Sequence, residues 1–547
     1  MIRLFMTVLL LVPIVVTSQD KPVPLTVDDV AHAERLLGLT FTLAEQDSIL
    51  AGLEEQQGDY AKLREVLLWN SVPPSVMFNP IPVGMKFETK KEPFKQSKIS
   101  VQLPSSLDDL AFLSIRELAE LIRTKKISSL RLTTLYLERL KRFGPKLECV
   151  VTLTEELALK QAARADAEIA AGKYRGPLHG IPYGAKDLLS TKGIKTTWGA
   201  MPYKDQVFDE DATVIKRLEE AGAVLVAKLA MGALAWGDVW FGGMTRNPWN
   251  YEQGSSGSSA GSASATAAGL VGFAIGTETY GSIVSPSTRC GTTGLRPTPG
   301  RVSRTGAMAL SWSMDKIGPI CRTVEDCALV FNAIQGPDGV DQSLYDLPFN
   351  YTPDVNLSKL KIGYLKTEFD SVRFNKDHTD RALDVLRGLG TNLVPIQLPQ
   401  FPVGAISIVL SAEAAAAFDD LTRSNKDDLL VRQIKNAWPN VFRHSRFIPA
   451  VEYLQANRVR YLLIQEMAKL MDSIDVYVSP SFGGDNLLLT NLTGHPCVVL
   501  PNGFTEEGTP TSITFIGKLF GEATLLAVAK KYQDATDFHL KHPTLQQ

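Results

Sequence analysis

The stretch Gly254–Leu270, GSSGSSAGSASATAAGL, decides how this chain is read. By composition it is a linker: small, polar and flexible. A linker, however, separates two self-sufficient domains and does not grade into a helix former. This stretch ends in ASATAAGL, which is Ala-rich and reads as a helix. The apolar run Leu270–Ile275 follows and is expected to be a buried strand. Gly254–Ser259 is therefore expected to be a glycine-rich loop opening onto a helix N-terminus, where peptide N–H groups gather and negative charge is stabilised. The loop lacks GxxxxGK[ST], and no GxGxxG opens its helix, so a nucleotide site has little support. Gly257-Ser258-Ser259-Ala260-Gly261 formally matches the GxSxG hydrolase elbow. That elbow follows a core strand directly, whereas the preceding NPWNYEQ is unsuited to one. Candidate histidine partners exist (His378, His444, His495), but none sits in a distinctive setting.

Outward from this stretch the grammar is that of an α/β protein. TVIKRLEEAGAVLVAKLAM reads as helix, glycine turn and apolar strand. The same order recurs in LKIGYL, DRALDVLRGLGTNLVPIQL and DSIDVYVSPSF. Alternating strands and helices predict a largely parallel or mixed sheet covered on both faces. Towards the N-terminus, LSIRELAELIRTKKISSLRLTTLYLERLKRF reads as two amphipathic helices. Before it, Thr26–Asn70 has helical periodicity with Thr26 as an N-cap, and SVPPSVMFNPIPVG reads as an extended strap. The expected organisation is a signal peptide at 1–18, a helical extension with the strap at 19–109, and a catalytic domain at 110–547.

The first residues, MIRLFMTVLLLVPIVVTSQD, support the first of these assignments. Arg3 is a positive flank, Phe5–Val16 is an apolar core of about a dozen residues, and Val16 and Ser18 fit a small-residue cleavage pattern. The run is short for a membrane span. The mature chain is thus expected to be exported, with no integral span. Lys and Arg number 57 against 59 Asp and Glu, for a formal net charge of −2, and no long basic block appears. A nucleic-acid partner therefore has no electrostatic footprint. Five cysteines leave at least one thiol free. Cys321 and Cys327 are the pair that could bridge in an oxidising compartment, and buried free thiols are the default reading. No cysteine lies in a zinc-binding spacing.

Taken together, Ser256–Thr298 resembles the signature of the amidase signature family. The matching pieces are GSSAGSASATAAGL, GTETYGSIVSP and CGTTGLRPT, the last against the family's CGxxGxKPT. Upstream, GIPYGAKD is similar to the family's lysine motif and RNPWN to its lead-in; GAMALSWSMDKIGPICRTVEDCALV and TNLTGHPCVVLP also fit. The resemblance runs from roughly Leu110 to about Gln533. It implies an α/β/α sandwich around a large twisted mixed sheet, with no metal or organic cofactor. It also implies a Ser–cis-Ser–Lys triad of Ser282 as nucleophile, Ser258 as bridging serine after a cis peptide, and Lys186 as base. The N–H groups of Thr279, Tyr280, Gly281 and Ser282 would form the oxyanion hole.

The chemistry of these residue types agrees. A serine hydroxyl needs a base, and lysine serves only when neutral, so burial must bring it from about 10.4 towards roughly 7–8. The family pattern GSDxGGSIRxP is altered here, with Glu278, Tyr280 and Val284 in place of Asp, Gly and Arg. The usual acidic–arginine contact beneath the nucleophile cannot form with Val284, which leaves Glu278 either another partner or a proton. The expected reaction is hydrolysis of a small-molecule amide through an acyl-enzyme. Esters or carbamates on the same site, a glutamyl-tRNA amidotransferase A-like subunit that passes ammonia to a misacylated tRNA, and a non-catalytic binding protein are the alternatives. The segment from about Pro402 to Glu466 is expected to contribute to the pocket.

Overall fold

The computed structural model describes residues 24–546; the expected signal peptide lies outside them. The described residues form two compact units, divided between Trp69 and Asn70. In the smaller unit, Val27–Leu37 and Leu43–Glu65 are helices. Thr26 and Thr42 each close a capping box, with Asp29 and Glu45 respectively, which satisfies otherwise orphaned N–H groups of the first turn. Gln46 donates to the buried Glu34 carboxylate at 3.1 Å and ties the two helices together.

The larger unit opens with the Pro-rich strap. Further along, Glu92 N–H donates to Asn350 Oδ1 at 2.8 Å and Ser97 N–H to Glu325 Oε1 at 2.7 Å. The two amphipathic helices are Ile115–Arg123 and Ser129–Leu147. At the centre is a mixed sheet of 11 strands flanked by helices. In chain order these are β1 (Val150–Leu153), β2 (Pro182–Lys186), β3 (Val224–Leu229), β4 (Phe273–Glu278), β5 (Thr293–Arg296) and β6 (Lys316–Cys321). The rest are β7 (Lys361–Leu365), β8 (Asn392–Ile396), β9 (Val476–Pro480), β10 (Cys497–Phe504) and β11 (Pro510–Gly517). Their order across the sheet is β1-β3-β2-β4-β6-β5-β10-β11-β9-β7-β8. Every residue of β2, β3, β4 and β6 is buried, as expected of strands covered on both faces.

One expectation shifts. The strand expected at Leu270–Ile275 is β4, which starts at Phe273 and runs on to Glu278. Gly269, at φ 63°, turns the chain out of the Ala260–Ala267 helix, and Gly272 N–H donates to Pro182 O at 2.9 Å before the strand begins. All five cysteines are buried and unbridged, including Cys321 in β6 and Cys327 in the Val324–Ile334 helix. Among the described residues, no helix is long and apolar enough to cross a membrane.

Candidate active site

β2 and β4 are parallel neighbours, with Ala185 opposite Ile275. Their carboxyl ends therefore open on the same edge of the sheet, where α/β proteins gather ligands. Lys186 is the last residue of β2, and Ser282 lies in the turn after β4. The Gly254–Ser259 loop reaches this edge from another direction, between a short ribbon (Arg246–Asn247 with Asn250–Gly254) and the Ala260–Ala267 helix. No core strand feeds the loop, which disposes of the hydrolase-elbow reading. Nor does any histidine among the described residues hydrogen-bond to Lys186, Ser258 or Ser282.

Lys186 is fully buried. Its Nζ contacts Ser258 Oγ and Thr277 Oγ1 at 2.8 Å, Ser259 Oγ at 3.1 Å and Thr277 O at 3.5 Å. None of these partners is a carboxylate. Burial brings the lysine down to about 7, against a smaller upward pull from Asp315 and Glu278. The amine is thus poised to exchange a proton near neutrality.

The Gly257–Ser258 peptide is cis. A Cβ on Gly257 would lie 1.9 Å from Gly237 O, so only glycine fits there. Ser258 is fully buried. Ser259 Oγ donates to Thr277 O at 3.0 Å and accepts from Thr277 N–H at 3.1 Å, which pins the loop to β4. Ser259 N–H also donates to Ser282 O at 3.2 Å, bringing the second loop alongside the first. No hydrogen bond joins Ser258 Oγ to Ser282 Oγ.

Gly281, at φ 82°, turns the segment Thr279–Ser282. Among the described residues, none of its four peptide N–H groups meets a hydrogen-bond acceptor. Tyr280 is half exposed at this turn. Thr279 Oγ1 donates to Asp315 Oδ1 at 2.6 Å, and Asp315 Oδ2 accepts from Leu310 and Ser311 N–H. The Pro402–Glu466 segment meets that same loop: Glu413 Oε2 accepts from Ser311 Oγ at 2.6 Å, and Arg460 Nη1 donates to Ser313 Oγ at 2.8 Å.

Glu278 is ionised and has found another partner. Burial pushes its carboxyl up, but the charges of Arg296 and Lys316, with the hydrogen bonds from Arg296 and Val284 N–H, together bring it down to about 2. Val284 instead packs with Cys497 and Val499. The structure thus brings Lys186, Ser258 and Ser282 to one edge and adds Ser259, Thr277 and Asp315, which the sequence did not single out. The one sequence signal for Thr277 is a hydroxyl in an otherwise apolar strand run, GFAIGTE.

The fold is that of an α/β protein whose candidate site lies at the carboxyl edge of a mixed sheet. The Amidase family model matches residues 131–489, more than half of the chain. A curated relative, the A subunit of glutamyl-tRNA(Gln) amidotransferase from Marinomonas sp. (strain MWYL1), is 35% identical over 480 residues, covering 79% of this chain and 98% of that one. The native peptide amidase from Stenotrophomonas maltophilia superposes with a TM-score of 0.70 at 29% identity, over 79% of this chain and 99% of that one. The glutamyl-tRNA(Gln) amidotransferase A subunit from Thermotoga maritima gives a TM-score of 0.69 at 25% identity, over 81% and 99%. The chain belongs to the Amidase family, and it is an enzyme of the amide C–N hydrolase and amidotransferase class.

Proposed function

We propose that this chain cleaves a carboxylic amide with Ser282 as nucleophile, Ser258 as proton relay and Lys186 as base. The observation that carries this reading is the fully buried Lys186, held by hydroxyl and carbonyl oxygens alone and brought to about 7. Ser282 Oγ attacks the amide carbonyl carbon as its proton passes to Ser258, while the Ser258 proton passes to the neutral Lys186 Nζ. The N–H groups of the Thr279–Ser282 turn take the negative charge on the carbonyl oxygen, a role commonly worth about 2.7–4 kcal/mol per donor. The lysinium returns the proton through Ser258 to the leaving nitrogen, the C–N bond breaks, and water then hydrolyses the acyl-enzyme.

Two settings share this chemistry. The curated relatives favour an amidotransferase A-like subunit, since the match spans 98% of such a chain at 35% identity. A free-standing exported amidase is supported by the likeness to a peptide amidase and by the apolar Phe5–Val16 run behind Arg3. A fluorophosphonate probe tests the nucleophile: wild type is labelled and Ser282→Ala is not, and equal labelling of the two refutes the assignment. Activity assays separate the settings. Turnover of peptide or aryl amides by the chain alone favours the hydrolase. Amidation of glutamyl-tRNA(Gln), with no turnover alone, favours the amidotransferase. Turnover of esters or carbamates in preference to amides redirects the substrate class on the same site.

A further inference from the structure

Beneath the turn that carries Ser282 lies a buried charged cluster that the chemistry above does not use. Glu278 ends β4, and its Oε2 accepts from Ile283 N–H at 2.8 Å and Val284 N–H at 3.0 Å. These are the two peptide groups immediately after Ser282. The other oxygen, Oε1, accepts from Arg296 Nη1 and from Asn491 Nδ2, each at 2.8 Å. Arg296 ends β5 and is fully buried. Its Nη2 donates to Thr490 Oγ1 at 2.9 Å and to His495 O at 2.8 Å, so one guanidinium spans the carboxylate and the segment that follows the Asn486–Thr493 helix. On the far side, Lys316 Nζ donates to Asn491 Oδ1 at 2.7 Å and reaches Thr279 O at 3.4 Å. Both ends of the Thr279–Ser282 turn are thereby tied to one cluster.

A buried carboxylate keeps its charge, and its charge-assisted bonds to peptide N–H groups, only if a cation is held against it. The basic residue of the SIRxP pattern would supply that cation from position 284. Here Val284 is packed among apolar neighbours, and the cation comes instead from β5, where Arg296 stands in place of the pattern's lysine. An ammonium in that place lacks the planar fork that lets Arg296 reach Glu278 and Thr490 at once.

We propose that Arg296 is a positioning residue for acylation: it fixes Glu278, which fixes the Ile283 and Val284 N–H groups and so aims the Ser282 hydroxyl and the free N–H groups of its turn. This rests on the reading of Ser282 as nucleophile. The test is saturation labelling by a fluorophosphonate, which separates the maximal inactivation rate from the half-saturating concentration. Arg296→Met and Glu278→Gln are each expected to lower the maximal rate by about 100-fold while half-saturation stays within about threefold. Arg296→Lys is expected to recover about tenfold of that loss, and the double variant to label no slower than the slower single one. If Arg296→Met does not fold, Glu278→Gln and Arg296→Lys carry the same test. A folded variant that labels at the wild-type rate, a change confined to half-saturation, or effects that multiply in the double variant would overturn the proposal. Ser282→Ala separates the two failures: if it still labels, the nucleophile reading itself falls, whatever Arg296 does.

Discussion

Lys186 and Lys228 are both fully buried on neighbouring strands, yet their surroundings differ in kind. Lys186 is opposite Leu229, one register position on from Lys228, so the two side chains leave opposite faces of the sheet. Lys228 Nζ lies 3.1 Å from Asp187 Oδ1 and donates to Thr196 Oγ1 at 2.7 Å. Lys186 meets hydroxyls and a carbonyl. Burial pulls both ammonium groups down; the opposing upward pull comes from Asp315 and Glu278 at Lys186 and, at Lys228, from Asp187, which lies against the amine. What distinguishes Lys186 is that no carboxylate hydrogen-bonds its amine.

The comparison can be broken by exchanging what the two lysines do. The largest effect is expected from Lys186→Met, which should lower the acylation rate by on the order of 10⁴-fold or more while the chain stays folded. Stopped assays on protein of verified circular dichroism check this, and a variant with more than a tenth of wild-type activity would remove Lys186 from the mechanism. Lys228→Met should act on stability instead. It leaves Asp187 buried and unpaired, a loss of roughly 3–5 kcal/mol that denaturant unfolding will show as a lower midpoint. An unchanged midpoint would mean that the pair is not the structural counterpart proposed. The smallest effect belongs to Thr277→Val, which removes one oxygen partner of the Lys186 amine. A hydrogen bond of this kind is worth about 1–1.5 kcal/mol, so the acylation rate should fall by roughly tenfold. Because the lost partner favoured the ammonium form, the pH midpoint of activity should also move down.

These contrasts also mark where the sequence was legible. Lys186, Ser258 and Ser282 come to one edge of the sheet, and each sits inside a local motif whose glycines and small residues constrain the backbone around it. The helix-to-strand units were legible for the same reason: Thr213–Glu220 and β3 follow the written pattern closely. What the sequence did not reveal depends on neighbours set by the sheet order. Glu278 meets Arg296 because β6 lies between β4 and β5 and both strands end at one edge. The two residues are 18 positions apart, and the chain between them carries no sign of that pairing. Ser259 and Thr277 join Lys186 for a similar reason, since only the parallel pairing of β2 with β4 brings them to the amine. The start of β4 was misplaced because Leu270 and Val271 are as apolar and buried as a strand, yet they belong to the turn that closes the helix.

The most direct test of the central claim, that a neutral Lys186 activates Ser282, is the pH dependence of Ser282 labelling by a fluorophosphonate. The base form of a lysine at about 7 is the deprotonated one, so activity is absent at low pH and gained as pH rises. The labelling rate should rise through a single midpoint near 7 to a plateau, with the adduct located on Ser282 by peptide mass spectrometry. A rate that is flat from pH 5 to 9, or an adduct on another residue, would contradict the account.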